Sequence, residues 1–389
     1  MNTLSFLEIM QREWRRILAD KNILLVVMLA PLAYLLIFGF EYAQRKVYDL
    51  PLVVVDYDAS PLSRTIIRDL DANEAIRVTE VVHDDNGLRE KFLSESCWAA
   101  VVLPPHLERD VKHGEHVNVL MLVNSADILI YDYAATGVQS VLGTVGAGVS
   151  IEKMMKSGTS AIAVRSSYLP LSFENRVAFN PALTYSNFIL PLLFMILLHQ
   201  VLALAGGMSW AGEWEAGNGG LSALPLLYRS KFIIAKAMPY AAIALAWIAV
   251  IVFGAHPLLG VPFVGSAVAL TVFWLLFSVN VALLGALVGS LIASRVGVVQ
   301  ILFLYSMPAL LISGTVWPLS AMPAPVEWLA FLLPSTHILT AYRQIALEGA
   351  GLAILAPSFL WLTATAAGLM VVVSLVVRRK ATKGQVVVG

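Results

Sequence analysis

The residues of this chain best placed to meet a partner stand in one polar interruption of an otherwise apolar sequence. Between two long hydrophobic runs lies WAGEWEAGNGGLSALPLLYRSK, Trp210 to Lys231, with two glutamates, four glycines and a proline. Carboxylates at Glu213 and Glu215 can accept charge-assisted hydrogen bonds from a basic or backbone-donor surface. Gly217 and Pro225 read as turn residues around a short helix that contains Leu221. Such a stretch suits docking on a soluble partner and transmission of motion; a solvated connector is the plainer alternative. A second polar set, His199, Gln200, Asn280 and Gln300, is scattered within the apolar runs themselves. Polar groups inside a span are candidates for lining a substrate path. Interhelical hydrogen bonds, worth about 0.6 kcal/mol each, are the other use for them.

Several chemistries are missing. No GxxxxGK[ST] loop is present, so this chain has no P-loop with which to cradle phosphates itself. Neither HExxH nor GxSxG occurs, and no paired carboxylates stand inside the apolar runs. No catalytic or metal-binding residue is therefore expected, and the chain reads as something other than an enzyme. The single cysteine, Cys97, excludes an internal disulfide and a cysteine-rich metal site, and reads as a small buried hydrophobe. A formal net charge of zero gives no pull toward nucleic acid.

The elements that hold these residues belong to a membrane. Of 389 residues 58% are hydrophobic and 13% charged, against roughly 25% charged in soluble domains. Residues 1–21 form an amphipathic helix, with Phe6, Met10, Trp14 and Ile17 on the apolar stripe and Arg12, Arg15, Arg16 and Lys21 largely opposite. Residues 22–40 are long enough to span the ~30 Å hydrocarbon layer and lack a cleavage site, so they read as a retained first span. Further spans are expected near Phe188 to Met208, Phe232 to Phe253, Ser266 to Ala293, Gly297 to Val316 and Ile354 to Val377. In GALVG, Gly285 and Gly289 allow close helix approach, within one subunit or at a dimer seam.

Between spans one and two, residues 41–181 turn to short valine-rich runs alternating with amphipathic segments. Strands are predicted at Leu50 to Asp58, Ala75 to Val82, Cys97 to Pro104 and Val117 to Asn124. A helix opens at Ser60 and Pro61, and DDNGLREKFLSES and PPHLERDVKHG also read as helices. This alternation predicts a compact α/β domain. The apolar stretch from Ala126 to Ser157 is assigned to it, because Asp127 and Asp132 would each cost roughly 2.5 to 3.5 kcal/mol in a bilayer centre.

Basic residues set the orientation. Four precede the first span, and Arg378, Arg379, Lys380 and Lys383 follow the last, whereas GAHPLLGVPFVG has none. Both termini are thus expected in the cytoplasm, with six spans, the α/β domain outside and the interruption inside. The expected fold is an integral membrane protein, mainly α-helical, with six transmembrane helices and an inserted extracytoplasmic α/β domain.

The interruption resembles the signature RExExGTxExLxxxP of ABC type-2 permeases, the membrane subunits of bacterial ABC exporters. Within that family the subgroup with a large extracytoplasmic domain after the first span is most similar. Glu213, Glu215 and Gly217 match directly, Leu221 and Pro225 match after a one-residue gap, and KAMPY, with Lys236, resembles the GKxxPY that follows. Gly212 stands where the family has arginine, Asn218 where it has threonine, and the third acid is missing. VVVDYDASPLSRTIIRDLDAN, VAFNPALTYSNFILPLL and the stretch from Leu310 to Leu352, with Ser313, Gly314, Pro318, Met322, Pro323, Pro334 and Arg343, carry the likeness over nearly the whole chain.

The resemblance implies a coupling loop at 209–231 that docks on a separate ATPase subunit, with Glu213, Glu215, Gly217, Leu221 and Pro225 as contacts. It implies a re-entrant region at 317–352 on the outer side, within a membrane domain of residues 182–378, and a cytoplasmic tail at 379–389. No cofactor is expected in this chain, since ATP and Mg would bind the partner. Expected partners are that ATPase, a second copy or a paralogous permease, a periplasmic adaptor and membrane lipid, in a bacterial inner membrane. The implied activity is outward transport of a drug-like or lipid-like substrate. A membrane-anchored binding or signalling protein acting through its outer domain is the alternative.

Overall fold

A computed structural model describes residues 5–42, 48–124, 128–156, 178–180, 184–216 and 226–386. The chain divides into two units, residues 46–176 and the remainder.

The inserted unit is an α/β fold. Its strands are β1 (Leu50–Asp56), β2 (Ile76–Val82), β3 (Ala99–Leu103) and β4 (Leu120–Val123). They are arranged β2-β1-β3-β4, with β1 parallel to both neighbours and β4 antiparallel to β3. A central strand covered on both faces must be apolar at almost every position, which is why β1 reads LPLVVVD. The helices are α3 (Pro61–Asp71), α4 (Leu88–Leu93), α5 (Leu107–His113) and α6 (Ile128–Lys156). Ser60 caps α3 by accepting the Ser63 N–H, with Pro61 at the first helical position. Helices α3, α5 and α6 bury Ile66, Leu70, Leu107, Ala134 and Val138 against Leu52 and Val54. On the opposite face Leu88 of α4 and Cys97 pack on Val53 and Val55. Burial raises the Cys97 thiol pKa, keeping it protonated and inert.

The second unit is a helical bundle: α1 (Phe6–Ala19), α2 (Lys21–Glu41), α7 (Tyr185–Glu215), α8 (Leu226–Val250), α9 (Ala267–Ile292), α10 (Arg295–Leu311), α11 (Ala324–Leu332), α12 (Pro334–Ala346) and α13 (Leu352–Val386). A π-helical turn at Ile251–Ala255 carries α8 on to Leu259. Helix α7 is the buried axis, packed on α2, α8, α9, α10 and α12. Close approach to α9 depends on glycine: a Cβ at Gly285 would lie 2.6 Å from the Ala203 carbonyl oxygen. The GALVG seam is therefore used within the subunit.

Among the described residues six helices are long and apolar enough to cross a membrane: α2, α6, α7, α8, α9 and α13. The number matches the expectation but the membership differs. Helix α10, expected as a span from Gly297 to Val316, stops at Leu311 after 17 residues, and the chain turns at Gly314 with φ of 82°. At 1.5 Å per residue it reaches about 25 Å. Helix α6, the least apolar of the six, buries Ala134, Val138 and Val141 in the α/β core, as a helix of that unit does. The expected 317–352 region contains α11 and the almost wholly buried α12, whose Tyr342 hydroxyl lies 3.1 Å from His256 Nε2.

The clearest correction concerns residues 209–231. The expected span ended at Met208, yet α7 continues through Glu215. Hydropathy falls at Trp210, but nothing before Gly217 breaks a helix, so the polar residues extend α7 instead of leaving it.

A candidate coupling site of buried charges

Three helices bring ionisable side chains together at i, i+4 spacing, which stacks them on one face. Helix α7 supplies Ser209 and Glu213, α8 supplies Lys236 and Tyr240, and α1 supplies Arg12, Glu13 and Arg16. The local sequence sets α1 firmly. Ser5 and Glu8 form a reciprocal capping box, and Asp20 ends α1 while capping α2 through the N–H groups of Asn22 and Ile23.

Lys236 is the centre. Its Nζ lies 2.6 Å from Glu13 Oε2, 2.8 Å from Ser209 Oγ and 3.2 Å from Glu213 Oε1. The indole of Trp210 lies 5.5 Å beneath the same ammonium. Glu13 Oε1 accepts from the hydroxyls of Tyr240, at 2.9 Å, and Ser209. Glu213 Oε1 is also held by Arg12 at 2.5 Å and Arg16 at 2.7 Å. Burial works to raise the Glu13 pKa, but the Lys236 ammonium and the Ser209 and Tyr240 hydroxyls outweigh it and hold the carboxyl below its ordinary value.

A neighbouring group continues the network. Arg295, at the start of α10, pairs with Asp20 at 2.6 Å and with Glu215 at 3.3 Å, and its backbone N–H donates to Glu215 Oε1. Gly212 explains how so much guanidinium fits here. A Cβ at that position would stand 2.5 Å from both Arg16 Nη2 and Arg295 Nη2. Two arginines from other helices, Arg16 and Arg295, thus cover the site where the resemblance implies an arginine at position 212.

The arrangement corrects one sequence expectation and adds to another. Glu213 was expected on a solvated loop; it is buried in the last turn of α7 and engaged inside the chain. The buried line of α1 is Ile9, Glu13 and Ile17, whereas Phe6 and Trp14 are only partly buried, and Leu7 and Leu18 are exposed. A lone glutamate among arginines reads as solvent-facing, so Glu13 was missed. The available signal was the pairing of polar residues four apart, Ser209 with Glu213 and Lys236 with Tyr240, at the ends of apolar helices. Exposed Glu215 lies where a loop reading puts it, at the surface, though paired with Arg295. Gly217, Leu221 and Pro225 lie outside the described residues.

The candidate path residues separate. His199 is fully buried in α7 with both ring nitrogens unpartnered, its ring 6.2 Å from that of Tyr305 in α10. Gln200 Oε1 accepts from Ser306 Oγ at 2.6 Å. Asn280 is elsewhere and fully used: it donates to the Leu276 and Leu362 carbonyls and accepts from Thr365, which ties α9 to α13. That geometry is the interhelical alternative. Gln300 is exposed on α10.

Comparison with known proteins gives these features a family. The profile described as "ABC-2 family transporter protein" matches residues 21–375. The "Probable multidrug ABC transporter permease YbhS" of Escherichia coli strain K12 is 21% identical over 91% of this chain and 92% of its own length. YbhR, given the same description in that strain, is 21% identical over 88% and 90% of the two chains. The "Inner membrane transport permease YhhJ" of that strain is 24% identical over 91% of each. With a match across both units and an apolar multi-helix architecture, this multi-pass membrane chain belongs to the ABC-2 family of transporter proteins.

Proposed function

We propose that the chain is the membrane subunit of an ATP-driven exporter and that the buried charge knot carries motion from a separate ATPase into the bundle. The knot carries this reading because it joins α1, α7 and α8 immediately before residues 217–225, the segment proposed to meet the ATPase. Gly217, Leu221 and Pro225 are assigned to that contact together with Glu215, while Glu213 works from inside as the joint. A push on the segment moves the end of α7, and the ionic links oblige α1 and α8 to follow. ATP and Mg bind the partner chain.

Both termini are placed in the cytoplasm of a bacterial inner membrane and the α/β unit outside, on the strength of the basic residues flanking the first and last apolar helices. This needs an even number of crossings, so the 17-residue α10, at the short end of the spanning range, is proposed as the sixth beside α2, α7, α8, α9 and α13, and α6 stays with the α/β unit. A second copy or a paralogous permease is proposed against α10. There Gln300, Leu304, Met307 and Leu311 are exposed along one face, and lipid alone would leave the Gln300 amide unsatisfied. His199, with Gln200 beside it, is proposed to line the substrate path because its unpartnered nitrogens can receive a polar group of a passing molecule. The relatives described as multidrug permeases support a drug-like substrate, with lipid-like amphiphiles the related class.

Co-reconstitution tests the reading. The purified chain alone is expected to hydrolyse no ATP above a contaminant control, and the pair with its ATPase to hydrolyse ATP and move a drug-like dye across proteoliposomes. Hydrolysis by the isolated chain, or a paired complex that moves nothing, contradicts it.

A further inference from the structure

The α/β unit has an open sheet edge beside a groove with arginines on its rim. Strand β2 is last in the sheet order, and among the described residues no strand pairs with its outer side. Backbone groups along such an edge are a template for another extended chain. The Val78 N–H is already taken by the Asp71 carboxylate at 3.0 Å, and an irregularity of register follows, leaving residues 79–82 as the available stretch.

Against this edge lies a groove of about 550 Å³ between β2 and α3. Its floor is apolar, from Ile67, Val78 and Val81, and Val81 is 42% exposed at the edge itself. Its rim carries Arg64, Arg68 and His83. The two carboxylates in the lining are engaged elsewhere: Asp71 on the Val78 N–H, and Asp56 on the N–H groups of Asp58 and Ala59 and the Ser63 hydroxyl. Glu80, in the edge stretch itself, is paired with Lys91 of α4. The arginines are weakly held. Arg64 donates to the Ala59 carbonyl, and Arg68 reaches the carboxylate of its exposed neighbour Asp69 at 3.3 Å, a pairing of small worth.

We propose that this groove receives an extended acidic segment of a partner protein, which adds to β2 as a fifth strand and sets its carboxylates against Arg64 and Arg68. An apolar floor suits the alternate side chains of a strand, and the rim selects acids for the others. That this partner is extracytoplasmic rests on the topology proposed above; the groove does not.

The test uses the full-length protein in phosphatidylcholine nanodiscs. The probe is a fluorescein-labelled peptide of about ten residues alternating glutamate and valine, compared with its lysine-valine counterpart. The acidic peptide is expected to bind, to slow hydrogen exchange at residues 79–82, and to lose affinity about tenfold or more in R64E/R68E. R109E, on α5, is expected to bind as the unaltered protein does. Absence of acidic-peptide binding overturns the proposal, as does binding without protection of β2 or an equal loss in R109E. Arg64- and Arg68-dependent binding to phosphatidylglycerol vesicles without peptide binding would assign the patch to a membrane surface instead. None of these readouts involves transport or ATP hydrolysis, so their failure is separable from failure of the exporter reading.

Discussion

The Lys236 ammonium lies 2.6 Å from the carboxylate of Glu13, a residue 223 positions away in sequence, and each side chain is 1% exposed. Burying one such charge without the other is expensive, so the pair fixes how α1 sits against α8. It does so without being a large net source of stability, because the desolvation of both ions offsets their attraction.

Removing one partner should therefore cost more than removing both. Lys236→Met is expected to destabilise the detergent-solubilised protein by about 3 to 5 kcal/mol, and the double change Glu13→Gln with Lys236→Met by clearly less. Thermal unfolding of the set checks this; a double variant as weak as the sum of the singles contradicts it.

Acid should release the same joint. The folded Glu13 pKa lies below its ordinary value of 4.5, so its contribution is present above that value and is lost as pH falls through the folded pKa. A melting series from neutral pH into that acidic range should show a Glu13-dependent fall in stability. Glu13→Gln should begin lower and have a flatter profile, whereas parallel profiles would remove Glu13 from the titration.

Three glycines of the bundle should respond in order. A methyl group at Gly285 meets the backbone oxygen of Ala203, which has no room to retreat, and Gly285→Ala is expected to cost about 1 to 3 kcal/mol. At Gly212 the methyl meets the far ends of Arg16 and Arg295, which can swing away, so the loss is smaller. Gly206 has nothing within 4 Å, and its alanine variant gains helix propensity of about 0.5 to 1 kcal/mol. Melting temperatures in any other order count against this packing.

Sequence patterning told more about the α/β unit than about the joint. Alternation, valine content and the Ser60-Pro61 start sufficed to predict β1 to β4 and α3, because each depends on residues near in sequence. The end of α7 is not legible from hydropathy, because the fall at Trp210 looks the same whether the helix stops there or continues to Glu215 with polar residues. Glu13 was missed for a different reason: its burial depends on Lys236 and Tyr240, which local periodicity around α1 cannot reveal. Lys236 itself stood out only through the likeness of KAMPY to the family motif.

Asn280 and His199 should also separate experimentally. Asn280→Leu removes hydrogen bonds between α9 and α13 and should lower stability by about 0.6 to 1.7 kcal/mol while leaving substrate preference unchanged. His199→Leu removes no hydrogen bond of the folded chain, so it should leave stability near the original and alter which dyes are transported. Dye profiles of both variants in proteoliposomes check the pair; an altered profile from Asn280→Leu alone would reverse the assignment.

The central claim is that the buried knot transmits ATPase motion, and it is tested most directly by the neutral double variant Glu13→Gln, Lys236→Gln, which keeps hydrogen-bonding groups while removing both charges. Reconstituted with the ATPase at matched amounts of folded complex, it is expected to retain partner binding and basal ATP hydrolysis. Transport, and the stimulation of hydrolysis by substrate, should fall together by about tenfold or more, corresponding to roughly 1.4 kcal/mol of lost coupling. Normal transport by this variant would contradict the account.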